Sequence, residues 1–199
     1  ELEDAGPSIA MEIEDGTALG RVAEHVGAPM TALNTAVWND GLQLIVPDDV
    51  RIEQPIELHF LVDSAAERSL VAPRNLIQLG KNASATVIEF FAGEASALVA
   101  PVTEVECAEQ AELRHWKVMR ESDGTRHYGS THVRQAAESR YQSREFAFGG
   151  ATVRREVHVD LAGTGAHCDI TSLVMATGSE RMDNRTRIAH RVPGCTTDE

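Results

Sequence analysis

Cysteine is scarce in this sequence, with three among 199 residues. Cys107, Cys168 and Cys195 are odd in number and form no Cys-x-x-Cys pair. A disulfide framework is thereby excluded, and a reducing, cytoplasmic setting is expected. Long apolar runs are missing too: Ile45-Val46 and Phe90-Phe91-Ala92 fall far short of the ~20 residues a membrane-crossing helix needs. The N-terminus has no basic-then-apolar leader pattern, so no membrane association is expected. Basic charge is in short supply, with 18 Lys and Arg against 31 Asp and Glu and a net charge of −13. Such a chain repels nucleic-acid phosphate unless a local basic run overrides it, and no such run occurs. There is no GxxxxGK[ST] and no GxGxxG, and Gly163-Thr164-Gly165 leads into no helix pattern. ATPase and dehydrogenase chemistry are excluded on that ground.

What is present fits one globular domain: 42% hydrophobic and 25% charged residues can build a core. The chain starts at Glu1 rather than Met and ends in Cys195-Thr196-Thr197-Asp198-Glu199 without a helix stop, so both ends read as cuts from a longer protein. Residues 1 to 15 are acidic and aperiodic, as in a loosely held arm. From Thr17 to about Ala36, Leu19, Val22, Ala23, Val26, Met30 and Leu33 recur at helical spacing, predicting a helix broken at Gly27 and Pro29. After Trp38 the period changes to two. Leu42, Leu44 and Val46, then Ile56, Leu58, Phe60 and Val62, alternate with their neighbours and predict strands. Asn39-Asp40-Gly41 and Pro47-Asp48-Asp49 supply turns. We therefore divide the chain into an arm and helical segment, residues 1–38, and a β core, residues 39–199.

From Gly41 onward no second helix is predicted, and the strands repeat. Gly124, Gly150 and Gly178 mark one corner at nearly even steps. A second corner, rich in small and polar residues, includes Cys107–Ala111, Gln135–Ser139 and Ala162–Ala166; equating Ala111, Ser139 and His167 makes its steps equal. Two corners sharing one period, about 27 residues, describe the coil of a β-helix, in which stacking buries a core that no single coil could bury. An antiparallel sandwich with evenly spaced strands would give a similar pattern.

Several strings then carry a family likeness. Leu33-Asn34-Thr35-Ala36-Val37-Trp38-Asn39-Asp40-Gly41 with Leu44-Ile45-Val46-Pro47 comes first. Gly129-Ser130-Thr131-His132-Val133-Arg134-Gln135 and Gly149-Gly150-Ala151-Thr152-Val153-Arg154-Arg155 follow. Met182-Asp183-Asn184-Arg185-Thr186, His190 and Pro193-Gly194-Cys195-Thr196-Thr197 complete the series. In this order they resemble the SufB/SufD family of iron-sulfur cluster assembly proteins, and Trp38–Gly41 and Cys195–Thr197 look more like SufD. The resemblance implies a right-handed parallel β-helix and a non-ATPase scaffold role beside SufB-like and SufC-like subunits. Family members continue past this chain through further coils, a Cys-Ser-His-Gly segment and a SufC-contacting helical region. The family's functional His and Cys positions in that segment therefore have no counterpart here, and an iron-sulfur cluster or its intermediate belongs to the full complex.

Individual residues offer less. His132 and His158, one coil step apart, are expected to stack on the outer face as solvated side chains, short of the ligand count that a metal needs. His190 shares the parity of Ile188 and Val192 and is expected to be partly buried with a structural role. Cys168 and Cys195, separated by close to one coil period, would occupy neighbouring coils; a shared thiol site for iron or sulfur is the chemical alternative to two small buried hydrophobes. These three, Cys168, Cys195 and His190, are the only candidate cofactor contacts. No catalytic residue and no metal site is assigned. Thr186–Val192 near the open end, with Ile188 and Val192 uncovered, is expected to pair fragments into a symmetric homodimer.

The resulting expectation is an all-β parallel solenoid with a short N-terminal helical segment, serving as a SufD-like, non-enzymatic scaffold. A carbohydrate-active β-helix enzyme, using Glu138, Arg140, Arg144, Arg154 and Asp160 on an outer face, is the alternative. Aromatics at 5% leave little for sugars to stack on.

Overall fold

The computed structural model describes residues 19–23, 28–38, 40–63 and 68–199. One helix, α1 (Pro29–Val37), precedes the strands β1 (Gly41–Val46), β2 (Ile56–Val62), β3 (Leu70–Val71) and β4 (Arg74–Leu79). Next come β5 (Ser84–Gly93), β6 (Leu98–Val99), β7 (Val102–Cys107), β8 (Glu112–Glu121) and β9 (Arg126–Gln135). The chain continues through β10 (Arg140–Ala147), β11 (Thr152–Leu161), β12 (His167–Val174), β13 (Arg181–His190) and β14 (Thr196–Asp198). Among the described residues no helix is long and apolar enough to cross a membrane.

Apart from the short β3 and β6, successive strands alternate between two sheets. One runs β1-β4-β7-β9-β11-β13 with the short β3 and β6 beside it, and the other runs β2-β5-β8-β10-β12-β14. The ladder pairings between these strands are parallel. This is the parallel β-helix arrangement, and the antiparallel sandwich is ruled out.

The helix is shorter than its sequence pattern predicts. Leu19 to Val22 form a turn and bends, while Thr17, Ala18 and residues 24–27 lie outside the described residues, as does the acidic arm. Pro29 opens the helix instead of breaking it, because a first-turn position needs no backbone N–H and suits the fixed φ of proline.

One corner shows how the period arises. Asp49, Asn82, Gln110, Glu138, Gly165 and Gly194 all have left-handed φ, between 54° and 80°, and from Asn82 onward they follow one another at nearly even steps. The amide of Asp49 donates to the Lys81 carbonyl, that of Asn82 to Glu109, that of Gln110 to Ala137, and that of Glu138 to Thr164. Side chains repeat the stacking, with Asn82 Nδ2 donating to Asp49 and Gln110 Nε2 to Glu138 at 2.8 and 2.6 Å. Register corrects one assignment: Glu112 aligns with Arg140 and His167, so Ala111 and Ser139 match Ala166, not His167. The coil step shortens there because Ala147 aligns with Met119 while Thr152 aligns with Arg126, so the path into β11 is two residues shorter than the path into β9, whereas the corner from β11 to β12 is one residue fuller than the one below it. Gly163 lets that fuller corner lie against its neighbour, since a Cβ there would overlap the amide nitrogen of Ala137.

Between the sheets, Leu44, Ile77, Val105, Val133, Val159 and Ile188 form one unbroken row across six strands. The first five are buried, and Ile188 packs on them. Burying each such side chain contributes about 1.5–3 kcal/mol. The β-branched residues suit a pleated ladder whose inner face is dry.

Candidate functional site: a polar lumen inside the coil stack

The apolar row shares the interior with charged residues. Glu89 alternates with Val87 and Phe91 on β5, while His115 and Lys117 lie between Leu113 and Met119 on β8, so strand parity turns all three inward. Lys117 Nζ lies 3.0 Å from Glu89 Oε2 and donates to Thr103 Oγ1 at 3.1 Å. Thr103 in turn donates to Glu89 Oε1 at 2.8 Å, tying one sheet to the other. His115 Nε2 lies 3.1 Å from the same carboxylate oxygen, and its Nδ1 lies 3.1 Å from the Tyr141 hydroxyl. Burial by itself would raise the Glu89 carboxyl, but the Lys117 ammonium and the His115 contact outweigh it and hold the group far below its ordinary range. Burial and the negative charge of Glu145 push the Tyr141 phenol well up, so it keeps its proton beside His115 Nδ1.

Further along the stack Arg155 of β11 donates to Glu145 of β10 at 2.6 Å, with both side chains buried. Arg155 Nε also donates to Asn184 Oδ1 at 3.1 Å, and Asn184 Nδ2 donates to Ser172 Oγ at 3.2 Å. Glu121 and His127 make a third buried pair at 2.9 Å. Each link joins a residue of one sheet to the other sheet or to the next coil. The network is a set of internal struts, not a vacant pocket.

The candidate thiols fall differently. Cys168 is buried in the lumen and aligns with Tyr141 on one side and Thr197 on the other. Cys195 precedes Thr197 by two positions, so it matches Ala166 rather than Cys168, and the expected shared slot is not formed. Its thiol is turned to backbone, donating to the Gly163 carbonyl at 3.3 Å. The turn from β12 to β13 is longer than that from β10 to β11, and this lengthening of the coil produces the offset. The residue near Cys168 that sequence reasoning missed is Cys107, also buried. Burial pushes both thiols up to about 12, and neighbouring negative charge acts in the same direction. Such thiols keep their protons and are poor metal ligands or nucleophiles.

His190 aligns with Leu161 and so has the inward parity expected of it. It is nevertheless exposed, because no described strand covers β13 on its far side. His132 and His158 do stack, at 4.8 Å between ring centroids and 5° between planes. His132 is not solvated as expected: α1 lies over it, with Thr31 Oγ1 3.5 Å from Nε2, and it is 4% exposed. An acid does share its row, Glu104, which was missed because only the folded register aligns it with His132. Among the described residues no group of three His, Cys, Asp or Glu side chains is placed to hold a metal ion.

The same outer face anchors the helix. Asn34, fully buried, donates from Nδ2 to the carbonyls of Ala72, Pro73 and Ala100 at 3.2, 3.0 and 2.8 Å. Its Oδ1 accepts from Arg74, whose guanidinium pairs with Glu104 at 2.6 Å. Burial would raise the Glu104 carboxyl, but amide hydrogen bonds from Gly20 and Val22 and the Arg74 charge lower it. Gly41 lets β1 approach, since a Cβ there would overlap the Arg74 carbonyl. Thus the strings containing Asn34, Gly41, Arg155 and Asn184 supply the anchors and struts of the stack.

Comparison with known proteins places these features in a family. Residues 60–199 match the family described as "SUF system FeS cluster assembly, SufBD core domain". The chain is 28% identical over 157 residues to protein ABCI7, chloroplastic, of Arabidopsis thaliana, covering 75% of this chain and 33% of that protein. It is 29% identical over 126 residues to the iron-sulfur cluster assembly protein SufD of Escherichia coli, covering 62% and 30%. With SufD of Bacillus subtilis the identity is 27% over 177 residues, covering 85% and 39%. The chain therefore spans about a third of the length of these relatives. Since the matched segment coincides with the stacked coils from β2 onward, the chain belongs to the SufBD core family of the iron-sulfur cluster assembly system.

Proposed function

We propose that this chain is the solenoid core of a SufD-like, non-ATPase scaffold subunit that works with SufB-like and SufC-like subunits. The observation that carries the reading is the family match over residues 60–199, which build the coil stack from the second half of β2 onward. Two of the relatives named above carry the name SufD, which favours that branch. A scaffold role without catalysis is supported by the interior chemistry: the buried acids and bases are engaged with one another, and the two lumen thiols are held protonated. In this reading the iron-sulfur cluster is cargo of the assembled complex. No observation favours the carbohydrate-active alternative.

The test is co-expression of the longer protein containing this chain with SufB-like and SufC-like subunits. A stable ternary complex is expected, in which ATP hydrolysis depends wholly on the SufC-like subunit. Residues 1–199 alone are expected neither to bind ATP nor to retain that subunit. Failure of the longer protein to join such a complex would overturn the proposal.

A further inference from the structure

The outward face of the eight-stranded sheet carries a row that runs Glu104, His132, His158, Arg187 across β7, β9, β11 and β13. The neighbouring row places Arg134 between Glu106 of β7, which accepts from Gln78 at 2.7 Å, and Asp160 of β11. These rows floor a cleft of about 620 Å³ whose other walls come from Arg21, Val22 and Ala28 of the N-terminal segment. Arg187 and Arg191 stand at its far side.

Four arginines and one carboxylate line this cleft. Glu104, at the acidic end of the row, is engaged by Arg74 and by the amides of Gly20, Val22 and Ala23. Asp160, the one carboxylate lining the cleft, is engaged by Arg191 at 2.9 Å. Glu156, 3.6 Å from His158 Nε2, is held by Arg154 at 2.7 Å. That leaves Arg21, Arg134 and Arg187, whose side chains make no hydrogen bond or ion pair with any described residue. Three guanidiniums without a partner among the described residues thus line one cleft of a chain whose net charge is −13. Like charges lining one cleft raise one another's energy, and an anion between them would relieve it. Guanidinium groups present planar forks of donors that match the oxygens of a phosphate.

The cleft is larger than a lone oxyanion requires and falls within the ~300–1,000 Å³ range of small-molecule sites. Val22, Ala28 and Ala162 supply apolar wall, and the stacked His132–His158 pair adds imidazole beside the arginines. We infer that this cleft is a binding site for a phosphate ester, its phosphate held by Arg134, Arg187 and Arg21 and its body against the histidine stack and the apolar wall.

Calorimetric titration of the protein with inorganic phosphate and with phenyl phosphate, at constant ionic strength, tests this. Saturable one-site binding of phenyl phosphate is expected, weakened about tenfold or more in an Arg134→Gln/Arg187→Gln variant. An Arg114→Gln/Arg120→Gln variant, which removes the same charge from the other sheet, should retain its affinity. The two cleft arginines are exposed and unpaired, so the fold does not depend on them, and an unchanged thermal midpoint without ligand would verify that. Equal affinity for both anions would keep the oxyanion site and assign it to free phosphate rather than an ester. Absence of saturable heat with either anion, or equal weakening in both variants, would overturn the inference.

Discussion

Glu89 and Lys117 are direct register partners on adjacent strands of the six-stranded sheet, and their charged ends meet at 3.0 Å inside the coil stack. Removing two charges from water costs several kcal/mol per ion, which a single contact does not repay unless further hydrogen bonds assist. Thr103 and His115 provide that assistance here. Slipping β5 against β8 by one position would turn one member of the pair outward and leave the other buried alone. The pair thereby penalises misregister more than it raises stability.

Acid sensitivity follows from this pair. The Glu89 value is depressed from the ordinary 4.5 in the folded chain, so its contribution is present above about that pH and is lost as pH falls towards the folded value. Urea unfolding measured at a series of pH values should show stability declining below about pH 4.5. Glu89→Gln should flatten that decline while costing about 3–5 kcal/mol at neutral pH, since Lys117 is left buried without its counter-charge. Identical pH slopes for the two proteins would refute the assignment.

The Glu145–Arg155 strut should be strongly non-additive. Arg155→Met leaves a buried carboxylate unpaired and should cost about 3–5 kcal/mol, whereas Glu145→Leu/Arg155→Met together should cost less than either single change. A double-mutant cycle by denaturant unfolding measures the difference, and additive losses would show that the pair is not coupled.

Asn34 fastens α1 to the coils. Asn34→Ala removes three donated bonds and the acceptor for Arg74, for an expected loss of about 2–4 kcal/mol. Hydrogen exchange should accelerate across residues 29–37 with little change in the central strands β8 and β10. Unchanged protection of the helix would mean that its anchor lies elsewhere.

Thiol reactivity separates the three cysteines. Cys195 is partly exposed, while Cys107 and Cys168 are buried with values of about 12. A thiol reagent at neutral pH should modify Cys195 first and reach the other two only on unfolding. A two-position offset between adjacent strands puts Cα atoms roughly 8 Å apart, outside the range of a disulfide. Mild oxidation should therefore leave Cys168 and Cys195 uncoupled, and mass spectrometry of a disulfide-linked peptide would contradict that register.

The left-handed corner offers a stabilising change. Glu138 holds a φ of 58° that glycine adopts without steric cost, as Gly165 does at the equivalent position of the next coil. Glu138→Gly should raise stability by a few tenths to about 1 kcal/mol, net of the exposed bond from Gln110. Thermal unfolding measures it, and a lowered midpoint would show that the side-chain ladder outweighs backbone strain.

The parallel β-helix was legible before any coordinates, because a repeat of about 27 residues with two corners per unit is a property of chain spacing alone. The same reading placed β1 and β2, whose apolar residues alternate cleanly, and aligned His132 with His158. The family likeness stood out in strings such as Leu33–Gly41 and Gly149–Arg155. Which charged residues lie inside is another matter. Glu89, Lys117 and Arg155 share inward parity with their apolar neighbours, but parity cannot say that a charge will be tolerated there until its partner on another strand is in place. Cys195 met the same limit, where one longer turn between β12 and β13 moved the thiol out of line with Cys168. So did His132, exposed by local pattern yet covered by a helix that arrives from far earlier in the chain. Local spacing sets the coil, and long-range contacts set what each coil faces.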